Sequence, residues 1–97
     1  MSNLGTIGNL SVKRSVDTSR TYGINVNADG VLGATQYYLY NSKTNDPGTA
    51  TIIYSNTTNQ LSMSLDRYTT HGTYYFWYRA SDGRTYTAYS NAVSLTF

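Results

Sequence analysis

Cysteine and glutamate are absent, proline occurs once, and charged residues make up only 12% of the 97 positions, about half the ~25% of an ordinary soluble chain. Each shortage excludes something. Without cysteine there is no disulfide framework, and nothing points to a redox compartment. Without glutamate, and with five aspartates in all, the paired carboxylates of glycoside hydrolysis have little to be built from. The scarcity of Glu, Lys and Ala argues against a helical bundle. No apolar run approaches the ~18–20 residues of a membrane-spanning helix. The opening Met-Ser-Asn-Leu-Gly has neither the basic start nor the apolar centre of a signal peptide. The net charge of +2 and pI near 8.9 arise from the lack of acids. Lys13 and Arg14 are the one adjacent basic pair. Such a chain lacks the basic stripe of a nucleic-acid binder, so neither nucleic acid nor membrane is expected as a partner.

Ser, Thr and Asn fill the polar positions instead, and eleven tyrosines supply most of the aromatic content. Disordered chains are poor in aromatics and rich in charge, so the composition predicts a folded domain. The length fits one domain, residues 1–97. Folding at this size removes roughly two thirds of the unfolded surface. Apolar residues recur with period two. Ile7, Leu10 and Val12 open the series. Tyr22, Ile24, Val26 and Ala28 follow, then 35–41, 50–54, the alternating Leu61, Met63 and Leu65, the aromatic run 73–80, and Val93, Leu95 and Phe97. Turn residues separate these runs: Asp29 and Gly30, Gly33, then Asn45 to Gly48, Asn56 to Asn59, His71 and Gly72, and Ser81 to Gly83. No segment carries a helical apolar period over three turns. Seven short strands with turns every ~8–15 residues predict an all-β, antiparallel β-sandwich.

Catalytic chemistry has few candidates. Asp17, Asp29, Asp46, Asp66 and Asp82 all fall at predicted turns or strand ends, where aspartate commonly binds its own backbone. His71, the single histidine, sits beside Gly72 with no carboxylate or thiol near it in sequence. No serine has a nucleophile-elbow setting, and no glycine-rich phosphate loop is present. No catalytic residue, metal or cofactor is therefore expected.

Several segments resemble the fibronectin type III family. Leu65 followed by Gly72, Thr73, Tyr74, Tyr75, Phe76, Trp77, Tyr78, Arg79 and Ala80 is similar to the segment that closes that family's lower corner. Residues 88–95 resemble its last strand in bacterial versions, and 34–40 its third. The tryptophan usual on the family's second strand is replaced by Ile24 or Val26, and the proline often found before the corner tyrosine is missing. The resemblance implies a register. Tyr74, Phe76, Tyr78 and Ala80 face inward, as do Tyr37, Leu39, Val93, Leu95 and Phe97. Tyr74 becomes the corner tyrosine, its hydroxyl bonded to backbone in the preceding loop.

The same register sets Tyr38, Tyr40, Tyr75 and Trp77, with Arg79 at the border, on the outer face of two neighbouring strands. A solvated sheet face is normally polar. Here the rings would expose on the order of 300–500 Å². Two readings stand side by side: cross-strand ring pairing that stabilises the sheet, or a contact surface for a protein subunit or a sugar ring. On this register, a Trp77 hidden from solvent would signal a slip by one residue, with Tyr74, Phe76 and Tyr78 outward. A second candidate surface is the loop 81–88, with Arg84 and Tyr86 near its tip, against the alternative of a hairpin whose tyrosine lies back on the sheet. The expected role is a non-catalytic structural or binding module. Its first form is an accessory decoration or tail protein of a bacteriophage virion, since the chain reads as a whole small frame from Met1. Its alternative is a spacer or glycan-binding module of a secreted bacterial enzyme or adhesin. Partners are then protein subunits of an assembly or a cell-surface glycan, and the location virion or extracellular.

Overall fold

The computed structural model describes residues 5–97. In that span seven strands form two antiparallel sheets packed face to face. They are β1 (Ser11–Arg14), β2 (Thr21–Asn27), β3 (Gln36–Ser42), β4 (Thr51–Asn56), β5 (Gln60–Asp66), β6 (Thr73–Ser81) and β7 (Val93–Thr96). One sheet runs β1-β2-β5, the other β4-β3-β6-β7. The only helical turn among the described residues is a 3-10 turn, Pro47–Thr49. There Asp46 accepts from the Gly48 amide and Pro47 presets the first helical position.

The inner faces follow from period two. Ile24 and Val26 on β2, Leu39 on β3, and Phe76, Tyr78 and Ala80 on β6 are almost wholly buried and form one cluster. Tyr37 stacks on Tyr78 at 5.8 Å between ring centres. Tyr74, Val93, Leu95 and Phe97 pack on its margin. The inward set implied by the resemblance is therefore the observed one. Burying hydroxyls in such a core requires partners. Tyr37 Oη accepts from the Val31 amide at 2.9 Å, and Tyr78 Oη donates to the Thr58 carbonyl at 3.4 Å.

Two regions depart from a simple alternating pattern. Ile7 and Leu10 are core residues outside any strand. Asn91 fixes this segment in place of a ladder: its Oδ1 accepts from the Leu10 amide and its Nδ2 donates to the Leu10 carbonyl. The resemblance places the last strand over 88–95, but only Val93–Thr96 pair regularly with β6. Upstream, side chains stand in for backbone. Thr87 Oγ1 accepts from the Ala80 amide, and Ser90 Oγ accepts from the Tyr78 amide at 2.8 Å.

Tyr74 occupies the expected corner. The His71 amide donates to its hydroxyl, at 3.4 Å and near solvent. A long, exposed bond of this kind contributes little, since water replaces it readily. Tyr74→Phe is therefore expected to lower the unfolding free energy by ~0.5–1 kcal/mol, measurable as a shifted urea midpoint with an unchanged slope.

The ends of the sandwich are finished differently. At one end, the Arg14 guanidinium lies over Tyr22 (4.7 Å) and Phe97 (4.9 Å), Arg67 lies over Tyr22, and Lys43 over Tyr74. Arg14 also bonds Asp17 at 2.6 Å and donates to the Thr96 carbonyl. These cations shield the rim of the core with their stems and stack on its rings.

Candidate functional site

The site grows from the pairing of β3 with β6. Tyr38 stands opposite Arg79, Tyr40 opposite Trp77, and Ser42 opposite Tyr75, all on the outer face. Past Ser81 the chain turns back. Asp82 makes that turn by accepting from the Arg84 and Thr85 amides at 2.8 Å each. These two backbone bonds, Thr85 first, hold its carboxyl below the usual range. The returning segment, pinned by Thr87 and Ser90, then lays Tyr86 and Tyr89 over the same face.

The result is a stack built around one cation. The Arg79 guanidinium lies 4.8 Å from the centres of both the Tyr86 and Tyr89 rings. Its Nε donates to the Thr87 carbonyl at 2.8 Å. Tyr86 leans on Tyr38 at 6.0 Å, Tyr89 meets Tyr40 edge-on at 5.1 Å, and Tyr75 stacks on Trp77 at 6.4 Å. Burial pushes the Tyr40 hydroxyl above its ordinary value, with the nearby Arg79 charge opposing. A guanidinium held between rings and only partly out of water gains ~0.5–2 kcal/mol for each good contact.

Every outward residue expected from the register is on this face, but their exposure differs from expectation. Trp77 is 3% exposed and Tyr40 7%, so neither belongs to an open patch. Tyr38, Tyr75 and Arg79 are half-buried, Arg84 is exposed, and Tyr86 keeps 49% of its surface. The burial of Trp77 does not come from a slipped register, because Phe76 and Tyr78 still face the core at 0%. It comes from rings covering the outer face. Tyr86 lies back on the sheet through Tyr38 and Arg79 and still presents its other side.

Tyr89 is the member that sequence reasoning missed. Strict alternation from Val93 sends 91 and 89 inward. The side-chain pairing at Ser90 breaks that alternation and turns Tyr89 out. Spacing alone carries no sign of this.

The remaining candidates have structural roles. Asp66 accepts from the Tyr68 amide, Asp29 from Asn9 Nδ2, and Asp17 pairs with Arg14. His71 Nε2 bonds the Tyr68 carbonyl at 2.7 Å. A shallow concavity of about 610 Å³ lies away from the aromatic face, lined by Asn25, Val26, Asn27, Asn56, Gln60, Leu61 and Ser62, and holds no titratable side chain.

No family model and no curated protein matches the chain. Solved structures do. A Fn3-like protein from Clostridium thermocellum superposes with a TM-score of 0.71 at 23% identity, over 98% of this chain and 94% of that one. The fold is fibronectin type III-like. The same fibronectin type III-like sandwich matches part of the glycoside hydrolase domain structure of Endo-D from Streptococcus pneumoniae R6 (TM-score 0.66, 16% identity), over 99% of this chain. It also matches the rat CD45 extracellular region, domains d3-d4 (TM-score 0.69, 14% identity), again over 99% of this chain. The chain spans 15% of the former and 51% of the latter.

Proposed function

We propose that this fibronectin type III-like chain is a non-catalytic structural and binding module whose contact surface is the outer face around Arg79. The arginine clamped between Tyr86 and Tyr89 carries this reading. Tyrosine and arginine are the residues most enriched at binding hot spots, and rings already locked in place lose little entropy on binding. Tyr86 is the accessible element, leaning on half-buried Tyr38, with Arg84 exposed on the preceding turn. The non-catalytic part is supported by the aspartates and His71, whose polar atoms serve turns and loops.

The setting with more support is a secreted or surface-exposed polypeptide, in which the module acts as a spacer or glycan-binding unit. Similar sandwiches are parts of the Endo-D and CD45 structures. As an accessory protein of a virion, the module would use the same face against a capsid or tail subunit. That form is supported by the low charge and the Ser, Thr and Asn surface.

Tyr86→Ala tests the face without opening the core, and its melting temperature should stay within ~2–3 °C of the parent. In affinity electrophoresis against soluble cell-wall polysaccharides, a glycan-binding module is retarded, and the variant is retarded at least ~10-fold less. A virion subunit ignores the glycans and co-sediments with purified particles in a Tyr86-dependent way. Equal behaviour of parent and variant in both assays overturns the assignment of this face.

A further inference from the structure

Two Asp-Gly pairs stand in the chain, Asp29-Gly30 and Asp82-Gly83, and the fold treats them in opposite ways. A glycine after aspartate sets no Cβ in the path between its own amide nitrogen and the aspartate carboxyl. The other aspartates lack that opening. Asp46 precedes Pro47, which has no amide proton, and Asp17 and Asp66 precede Thr18 and Arg67. No Asn-Gly pair occurs.

At Asp82-Gly83 both reacting groups are occupied. Asp82 Oδ1 accepts from the Arg84 and Thr85 amides at 2.8 Å each, and from Thr85 Oγ1 at 3.3 Å. These bonds favour the ionised carboxylate, a form that does not release an oxygen as water. The Gly83 amide donates to Ser81 Oγ at 3.0 Å. Asp29-Gly30 is held more loosely. Its carboxylate accepts one bond, from Asn9 Nδ2 to Oδ2 at 2.8 Å. The Gly30 amide has no acceptor among the described residues, and both residues are exposed.

We infer that Asp29-Gly30 is a site of spontaneous isoaspartate formation, with water as the only other reactant, and that the Asp82 turn is protected from it. The Gly30 nitrogen bonds to Asp29 Cγ and gives up its proton. One carboxyl oxygen leaves as water, and a cyclic imide closes. Water then adds to the Asp29 main-chain carbonyl within that ring and breaks its bond to the Gly30 nitrogen. The chain now runs through Cγ and is one methylene longer, while the former main-chain carbonyl ends as a free carboxylate. One water leaves and one enters, so nothing is oxidised or reduced and the mass returns to that of the parent.

The change falls where the segment before β1 is anchored. The Asp29 amide donates to the Gly8 carbonyl at 3.1 Å, and the Asp29 carboxylate holds Asn9. Ile7 and Leu10, beside these two residues, belong to the core. One residue further on, the Val31 amide donates to Tyr37 Oη. An extra methylene between these fixed points moves the carboxylate off Asn9 and loosens the anchorage.

Ageing the purified chain at neutral pH and physiological temperature tests this. Isoaspartate is counted with an L-isoaspartyl methyltransferase and labelled S-adenosylmethionine, then placed by peptide mapping with electron-transfer fragmentation. The same chain unfolded in guanidinium chloride supplies the intrinsic rate at each pair. Folding should slow the reaction at Asp82 several-fold more than at Asp29, so that isoaspartate in the folded protein gathers at Asp29. Gly30→Ala is the matching variant. Its Cβ meets only Asn59 Nδ2, at 3.9 Å, an ordinary contact. Its circular dichroism should match the parent while isoaspartate at Asp29 falls several-fold. Equal slowing of the two pairs by folding, or greater slowing at Asp29, overturns the proposal. An aged Gly30→Ala protein with as much isoaspartate at Asp29 as the parent overturns it as well.

Discussion

Replacing Trp77 by alanine is expected to lower the unfolding free energy by ~3–5 kcal/mol, although the residue sits on the outer face of its sheet. Its side chain is 3% exposed, stands opposite Tyr40 and stacks on Tyr75. Truncation removes the largest ring on that face and leaves a hole that the clamped stack around Arg79 cannot easily fill. A domain of this size commonly has ~5–15 kcal/mol in total, so the variant is marginal at room temperature. Equilibrium urea unfolding followed by circular dichroism gives the value directly. In the parent, the single tryptophan should emit at a blue-shifted wavelength as an isolated monomer. A change under ~1 kcal/mol, or emission like that of the free amino acid, would contradict the covered face. Because Trp77→Ala disturbs folding, it is a poor probe of binding, and Tyr86 is the position for that purpose.

The second large effect is alkaline unfolding. Tyr78 is fully buried, and its hydroxyl is held well above the ordinary 10.0, first by burial and then by the nearby Tyr37 hydroxyl. The folded state thus retains a proton that the unfolded chain releases near pH 10. Below that pH both states hold it and the contribution to stability is complete. As pH rises from there toward the folded-state value, the unfolded chain ionises first and stability drains away. A cooperative loss of β circular dichroism above pH 10 is expected, coincident with a step in tyrosinate absorbance. Tyr78→Phe removes the titrating group and loses only the 3.4 Å bond to Thr58. It should cost ~0.5–1.5 kcal/mol at neutral pH and move the alkaline midpoint upward. An unchanged midpoint in the variant would assign the transition to other tyrosines.

The amino-acid sequence by itself determined the sandwich, the strand boundaries to within a few residues, and which residues of β3 and β6 share a face, while the likeness to a known family implied which of those faces is the inner one. These are period-two properties, set by neighbours in the chain. Leu39, Phe76, Tyr78 and Ala80 need only the pleat to end up on one side. The corner position of Tyr74 was legible from its likeness to a known segment. Tertiary structure alone decided how much of the outer face meets water. Alternation says which side Trp77 and Tyr40 take, but not what lies over them. Tyr75 stacks on Trp77, and the cover over Tyr40 comes from residues beyond the Asp82 turn, where Thr87 and Ser90 hydroxyls replace ladder bonds and so reverse the facing of Tyr89. A hydroxyl standing in for a backbone amide's partner leaves no periodic trace. The openness of the β4 and β5 edges was likewise decided by strand order, because a strand's own sequence does not state whether it has one neighbour or two.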